Sequence, residues 1–159
     1  MVIIDAQSVK NTDTAQEKGY DSGKKVSGIK RHIAVDTNGL PHGIWVTTAN
    51  VSDHQGALEL FSHSSSKLRN LKKVLADGGY RGPKFANAVK SLLGLSCSVE
   101  IAKRSELHQF AVMPQRWVVE RSFAWLAKYR RLWKNCERKL ATSLQMLVLA
   151  FCSILMKRL

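Results

Sequence analysis

This chain is short of cysteine, of long apolar runs and of acids, and each shortage narrows what it does. Cysteine occurs three times, at Cys97, Cys136 and Cys152. An odd number without metal-ligand spacing argues against a disulfide framework or a zinc knuckle and reads as reduced core thiols in a cytosol. Met1-Val2-Ile3-Ile4 meets Asp5 before any apolar region develops, so no signal peptide is expected. The most apolar stretch, Leu144 to Met156, is too short to span a bilayer and is interrupted by Gln145, Cys152 and Ser153. It reads as a core helix or a dimer surface, and no membrane partner is expected. Acids number 12 against 25 Lys and Arg, a formal net charge of +13. A surplus of that size implies a polyanionic partner, nucleic acid first. What is plentiful, 45% hydrophobic residues among scattered charges in 159 residues, suits one globular domain with a proper core.

The organising stretch is Leu71 to Gly82. Val74-Leu75-Ala76 reads as a short buried strand, Asp77 ends it, and Gly78-Gly79 turns the chain sharply. An aspartate at the C-terminal end of such a strand is where open α/β sheets place ligand chemistry. The plainer alternative is an Asp that opens a turn or caps the next helix. Asp5 stands in the same relation to the apolar run Val2-Ile3-Ile4. Asn11 to Gly28 is polar and without period, and reads as a loop. Its end packs Lys24, Lys25, Lys30, Arg31 and His32 into ten residues, a set suited to phosphate contacts unless it is simply a solvated charge run.

Ile29 to Asp36 alternates as a half-buried strand, with Arg31 and His32 set against Ile33 and Val35. Thr37-Asn38-Gly39 is a hairpin signal, Leu40 to Ala49 is the returning strand, and Asp36 is a turn residue. His32 and His42 lack metal-like spacing and read as structural. Ser52 or Asp53 caps a helix over about Gln55 to Phe61, with a polar connector from His63 to Ser66. Pro83 to Leu93 has helical spacing, Gly94 stops it, and Leu95 to Ile101 is a fifth short strand. After an irregular connection over Lys103 to Val112, Pro114 opens a long helix to about Lys134. Wound at 100° per residue, that helix gathers Val118, Val119, Ser122, Trp125, Leu126, Tyr129, Leu132 and Trp133 on one face and sets Glu120 opposite. Arg116 and Glu120 read either as an i, i+4 ion pair of about 0.3–0.5 kcal/mol or as an acid held amid cations, as a metal ligand beside a phosphate-binding surface is.

Four blocks carry a family resemblance: Ile4-Asp5-Ala6-Gln7-Ser8-Val9-Lys10, then Gly23-Lys24-Lys25 with Lys30-Arg31-His32, then Ala76-Asp77-Gly78-Gly79-Tyr80-Arg81-Gly82, then Arg116-Trp117-Val118-Val119-Glu120-Arg121-Ser122-Phe123-Ala124-Trp125-Leu126. In this order they resemble the catalytic domain of bacterial insertion-sequence transposases of the DDE class, most closely the insertion-sequence-five group, over nearly the whole chain. The resemblance implies an α/β, ribonuclease H-like fold, with a mixed five-stranded sheet flanked by helices. Residues 1–140 would form the catalytic domain and 141–159 a C-terminal apolar helix packed on it. It implies Asp5, Asp77 and Glu120 as catalytic, metal-binding carboxylates for two Mg²⁺ ions, with Mn²⁺ as a substitute. DNA contacts are expected from Lys10, Lys24, Lys25, Lys30, Arg31, Arg81, Arg116, Lys128 and Arg131. Around the Glu, relatives carry a Tyr, Arg, Glu, Lys signature; here Arg116 and Glu120 match, Met113 stands in the Tyr place and Lys128 comes one residue late.

The implied activity is Mg²⁺-dependent endonuclease and strand-transfer chemistry on terminal repeats and target DNA, in a bacterial cytoplasm at the nucleoid. The family's N-terminal DNA-binding region is expected to be absent, which makes the chain a fragment, a truncated element or the second frame of a two-frame gene. A second polypeptide would then supply that region, and a homodimer is a further expectation. The rival readings are a ribonuclease H-like nuclease that cuts without joining and a non-catalytic DNA-binding remnant that inhibits a full-length transposase.

Overall fold

The computed structural model describes residues 1–102 and 116–157. Its centre is β1 (Val2–Lys10), whose first three residues are buried and whose polar remainder stays extended because a partner runs beside all of it. That partner is β3 (Val26–Val35), antiparallel from Ile3 opposite Val35 to Lys10 opposite Gly28. On the far edge of β3 lie β4 (Pro41–Thr48) and, further along, the short β2 (Gly19–Asp21), both antiparallel to it. On the other edge of β1, β5 (Lys73–Ala76) pairs in parallel at Val2 and Ile3, and β6 (Ser98–Ile101) pairs in parallel with β5. The result is the expected mixed sheet with one more strand than the sequence indicated. The extra one is β2, inside the segment read as loop. Asp21 accepts from the backbone N–H groups of Gly23 and Lys24, folding 19–21 back onto 26–28.

Side-chain alternation splits the core in two. Val2, Ile4, Val74 and Ala76 pack under α1 (Asp53–Leu68) and α2 (Pro83–Leu93), with Phe61, Phe85 and Val89. Ile3, Ile33, Val35 and Leu75 face the opposite way, under α3 (Arg116–Ala127) and α4 (Leu140–Met156), with Val119, Leu126, Leu147 and Phe151. Each buried aliphatic or aromatic side chain contributes about 1.5–3 kcal/mol of transfer free energy, so both layers are needed to hold a sheet that is apolar on two sides.

Several boundaries differ from the sequence reading, each for a local reason. Asp5 lies within β1, not at its end, because the ladder to β3 continues for five further residues. Helix α1 runs on through 63–66, since His63 stacks on Trp45 at 3.8 Å and Leu68 is buried. Strand β6 starts at Ser98, after Cys97 N–H has closed a turn on Gly94 O and left Leu95 exposed. Helix α3 stops at Ala127, where Lys128 and Tyr129 donate to Trp125 and Leu126 three residues back and the Trp133 indole N–H caps the Ala127 carbonyl. Lys128 and Trp133 therefore lie beyond the helix. Ser52 is the cap of α1, accepting from Gln55 N–H at 3.1 Å. Asp36 is a turn residue, accepting from Asn38 and Leu40 N–H across Gly39, whose φ of 83° suits glycine. Of the three thiols only Cys97 is fully buried, while Cys152 is exposed on α4. Met113, Pro114 and the 103–112 connection lie outside the described residues. Among the described residues no helix is long and apolar enough to cross a membrane.

Candidate active site

Register brings two acids together. Val2 sits opposite Val74 and Ile3 opposite Leu75 in the parallel β1–β5 pair. Two residues on, the same register sets Asp5 opposite Asp77. Successive side chains alternate faces, so both acids point to the side of Ile3 and Leu75, toward α3. There they line one cleft with Leu75, Arg116 and Val119, whose free space of about 10 Å³ is roughly that of a single water.

Asp77 is the turn-capping residue that its sequence context allowed, and it also faces a cation. Its Oδ1 accepts from Gly79 N–H at 2.8 Å and caps the 3₁₀ turn Gly78–Tyr80, while Oδ2 lies 3.6 Å from an Arg116 guanidinium nitrogen. The turn is pinned from behind, because His54 Nε2 meets Gly79 O at 2.6 Å and the His54 ring stacks on Phe85 and Tyr80. With Gly79 O as acceptor, Nε2 of His54 carries the proton. Asp5 has less help. Its Oδ1 accepts from Ala6 N–H at 2.8 Å and no side chain donates to it among the described residues. Burial pushes its carboxyl from 3.8 up to about 6; the Ala6 N–H opposes this, the Asp77 charge adds to it, and Arg116 and Lys24 oppose it.

Glu120 lies one turn along α3 from Arg116, with its side chain 59% exposed and its Oε1 3.5 Å from Arg116 Nε. The i, i+4 pair is thus real, and Arg116 is the cation that Asp77 and Glu120 share. Among the described residues no three His, Cys, Asp or Glu side chains stand close enough to hold a metal ion. The donor set nevertheless suits a hard divalent cation at Asp5 and Asp77: all its atoms are oxygen, one carboxyl is desolvated, and the two acids stand in each other's field. Glu120 stands apart from that set, paired with Arg116.

The expected DNA-contacting residues divide. Lys10, Lys24, Lys25, Arg81, Lys128 and Arg131 are exposed and Arg116 is half-buried. Lys24 extends its ammonium to Ala6 O, beside Asp5, at 3.1 Å. Arg131 is paired with Glu137 at 2.9 Å. Lys30 and Arg31 are corrections: they are 5% and 3% exposed, neither a phosphate-facing run nor a solvated one. A strand flanked on both edges and covered on both faces has no outward side, so its cations are satisfied internally. Lys30 reaches Asp53 at 2.8 Å, Asp21 at 3.3 Å and Val51 O at 2.8 Å, while Ser8 donates to Asp21 at 2.6 Å. Arg31 donates to Leu132 O at 2.8 Å on the other face, and burial lowers it to about 10. His32 is structural, as expected. It bonds Thr47 Oγ1 at 3.0 Å, burial lowers it to about 4, and Gly56 must lack a Cβ because that atom would fall 2.1 Å from the ring. Sequence reading missed this Lys30–Asp21–Asp53 cluster and the His54 anchor; the one available signal was Asp53-His54 directly after the Ser52 cap.

A central strand paired antiparallel on one side and parallel on the other, with two aspartates side by side under a later helix, is the plan of a ribonuclease H-like sheet. The chain matches the family described as Transposase DDE domain over residues 1–155, and it belongs to that family. It is 34% identical over 119 residues to a Burkholderia cepacia protein named as transposase for insertion sequence element IS402, a match covering 70% of this chain and 55% of that protein. The chain therefore spans about half the length of that curated relative. A chain in the cryo-EM structure of the simian T-cell lymphotropic virus intasome in complex with PP2A regulatory subunit B56 gamma superposes with a TM-score of 0.60 at 17% identity, covering 96% of this chain and 47% of that one. At that identity the likeness is one of fold, and with the strand order it makes this a ribonuclease H-like fold. The family match does not extend to the insertion-sequence-five group in particular.

Proposed function

We propose that this chain supplies the catalytic domain of an insertion-sequence transposase, which cuts DNA at the element's ends and joins the freed 3′-hydroxyl to target DNA. The observation that supports it most is the side-by-side placing of Asp5 and Asp77 across β1 and β5 beneath Arg116. In this reading residues 1–140 are the catalytic unit and 141–159 a helix packed on it. Asp5, Asp77 and Glu120 would hold two Mg²⁺ ions, or Mn²⁺ in their place. Such a pair, when bound, stabilises charge on the entering and leaving oxygens of an in-line displacement at phosphorus.

The chain's own residues then do four things. Ala6 N–H and the His54-pinned turn fix the two aspartates on one face. Burial of Asp5 raises its carboxyl to about 6, so this one acid gains its charge only toward neutrality. Arg116 pairs with Asp77 and Glu120 and, once displaced, is placed to pair with a phosphate bidentately. Lys10, Lys24, Lys25, Arg81, Lys128 and Arg131 provide exposed cations for the DNA backbone; Lys30 and Arg31 do not belong in that set. Recognition of the ends by a second polypeptide, a homodimer and a cytoplasmic, nucleoid-associated setting belong to the same proposal.

The test is a gel assay of cleavage and strand transfer on terminal-repeat DNA with Mg²⁺, with the chain alone and with an N-terminal half supplied. Activity that disappears in Asp5→Asn supports the reading. Undiminished Mg²⁺-dependent cleavage by that variant refutes it, and cleavage without joining makes the chain a nuclease instead.

A further inference from the structure

Two grooves lie along the sheet beyond the acids. Past Ile3 the edge of β1 away from β3 is free of β5. Between it and the turn after α3 lies a cavity of about 290 Å³ lined by Gln7, Val9, Arg31, Leu132, Trp133 and Lys134. A second cavity, of about 480 Å³, meets the first at Lys10 and is lined by Lys18, Tyr20 and Lys25, with Asp13 as its acid. Asp5, Gln7 and Val9 share one side of β1, so the first groove begins about 7 Å from Asp5 and extends to about 13 Å. Tyr20 stands opposite Ser27 and Val9 opposite Ile29, two positions apart on β3, which places Tyr20 on that same side of the sheet.

The linings are chemically alike. Trp133 is 67% and Tyr20 57% exposed. The Trp133 indole N–H is bound to Ala127 O, so the ring is anchored yet open to solvent. Lys10, Lys18, Lys25 and Lys134 are exposed and make no ion pair among the described residues. Arg31, 3% exposed, leaves its Nε without a hydrogen-bond partner at the first groove. Anchored aromatic faces interleaved with unpaired lysines suit a polyanion whose bases are available for stacking. A duplex keeps its base faces stacked on one another and would use the lysines alone.

We propose that the two grooves form one track for an unpaired DNA strand running from the acidic site past Trp133 and Lys10 to Tyr20. Trp133 and Tyr20 stack on bases and the lysines hold the intervening phosphates; the inference rests on the DNA-cleaving reading of that site. The test is fluorescence anisotropy of the whole chain in EDTA at fixed salt, with a labelled 12-nucleotide single strand and a blunt duplex of the same sequence. Trp133→Ala and Tyr20→Ala are expected each to weaken single-strand binding about 5- to 100-fold and to change duplex binding less than about twofold. Trp133→Phe retains binding, and abasic sites in the strand reproduce the loss in the parent protein. Both side chains are exposed, and circular dichroism checks that the variants fold. Equal losses on both DNA forms, or none on either, overturn the track. If cleavage remains Asp5-dependent in that event, only the track has failed; a chain that binds neither form sinks the DNA reading with it.

Discussion

The two faces of the sheet treat buried charge in opposite ways. On the α1 side, Lys30 is enclosed with Asp21, Asp53, Val51 O and the Ser8 hydroxyl, so each ion meets its partners within the chain. Asp21 is correspondingly held down at about 2, by the Ser8 hydroxyl first. On the α3 side, Asp5 is nearly as secluded but has one backbone N–H, a second acid beside it, and a share in the field of Arg116, which also serves Asp77 and Glu120. A closed cluster holds a fold together, whereas an acid left without a cation of its own marks where a cation from outside fits. That difference supports the proposed placing of the site on the α3 side more sharply than the distribution of basic residues does.

The largest effect should come from opening the closed cluster. Lys30→Ala strands Asp21 and Asp53, with an expected loss of about 3–5 kcal/mol in urea unfolding; a loss under about 1 kcal/mol would mean the cluster is open after all. Next, Asp5→Asn and Asp77→Asn should each reduce cleavage about 10²–10³-fold, the equivalent of several kcal/mol of charge stabilisation, whereas Asp21→Asn should leave the cleavage rate of the folded fraction unchanged. Steady-state rates normalised to folded protein test both halves.

The third prediction concerns pH in chelator-treated protein. Because the folded-state pKa of Asp5 is raised, its protonated form is preferred in the fold; the associated stability is full below about pH 4 and is lost as pH rises through about 6. Moving the carboxyl from 3.8 to about 6 corresponds to about 3 kcal/mol, so Asp5→Asn should be more stable than the parent at pH 7 and converge with it near pH 4. His32, lowered to about 4, acts in the opposite sense, with stability present above about pH 6.5 and lost as pH falls, so variant and parent must be compared at each pH. The smallest effect is Ser122→Ala. Its hydroxyl donates to Gly39 O at 2.8 Å, tying α3 to the β3–β4 hairpin, and its loss should lower stability by about 1 kcal/mol with cleavage retained.

Much of the fold was legible before any coordinates. Val74-Leu75-Ala76, the Thr37-Asn38-Gly39 turn, the Ser52 cap and the Pro83 to Leu93 helix are local signals, and local signals survive folding. The failures share a cause. Lys30 and Arg31 looked like surface cations because they close a basic run, and only the packing on both faces of β3 enclosed them. The end of α3 at Ala127 came from a tryptophan six residues further on, which no helical period encodes.

The order of most elements and the excess positive charge were written in the residues, because composition and periodicity are properties of the chain itself. That Asp5 faces Asp77, that Arg116 stands between Asp77 and Glu120, and that Lys30 is sealed away from any ligand were decided by strand register and packing. The physical reason is that the surroundings of a charge are made of residues distant along the chain, and only folding chooses which ones those are.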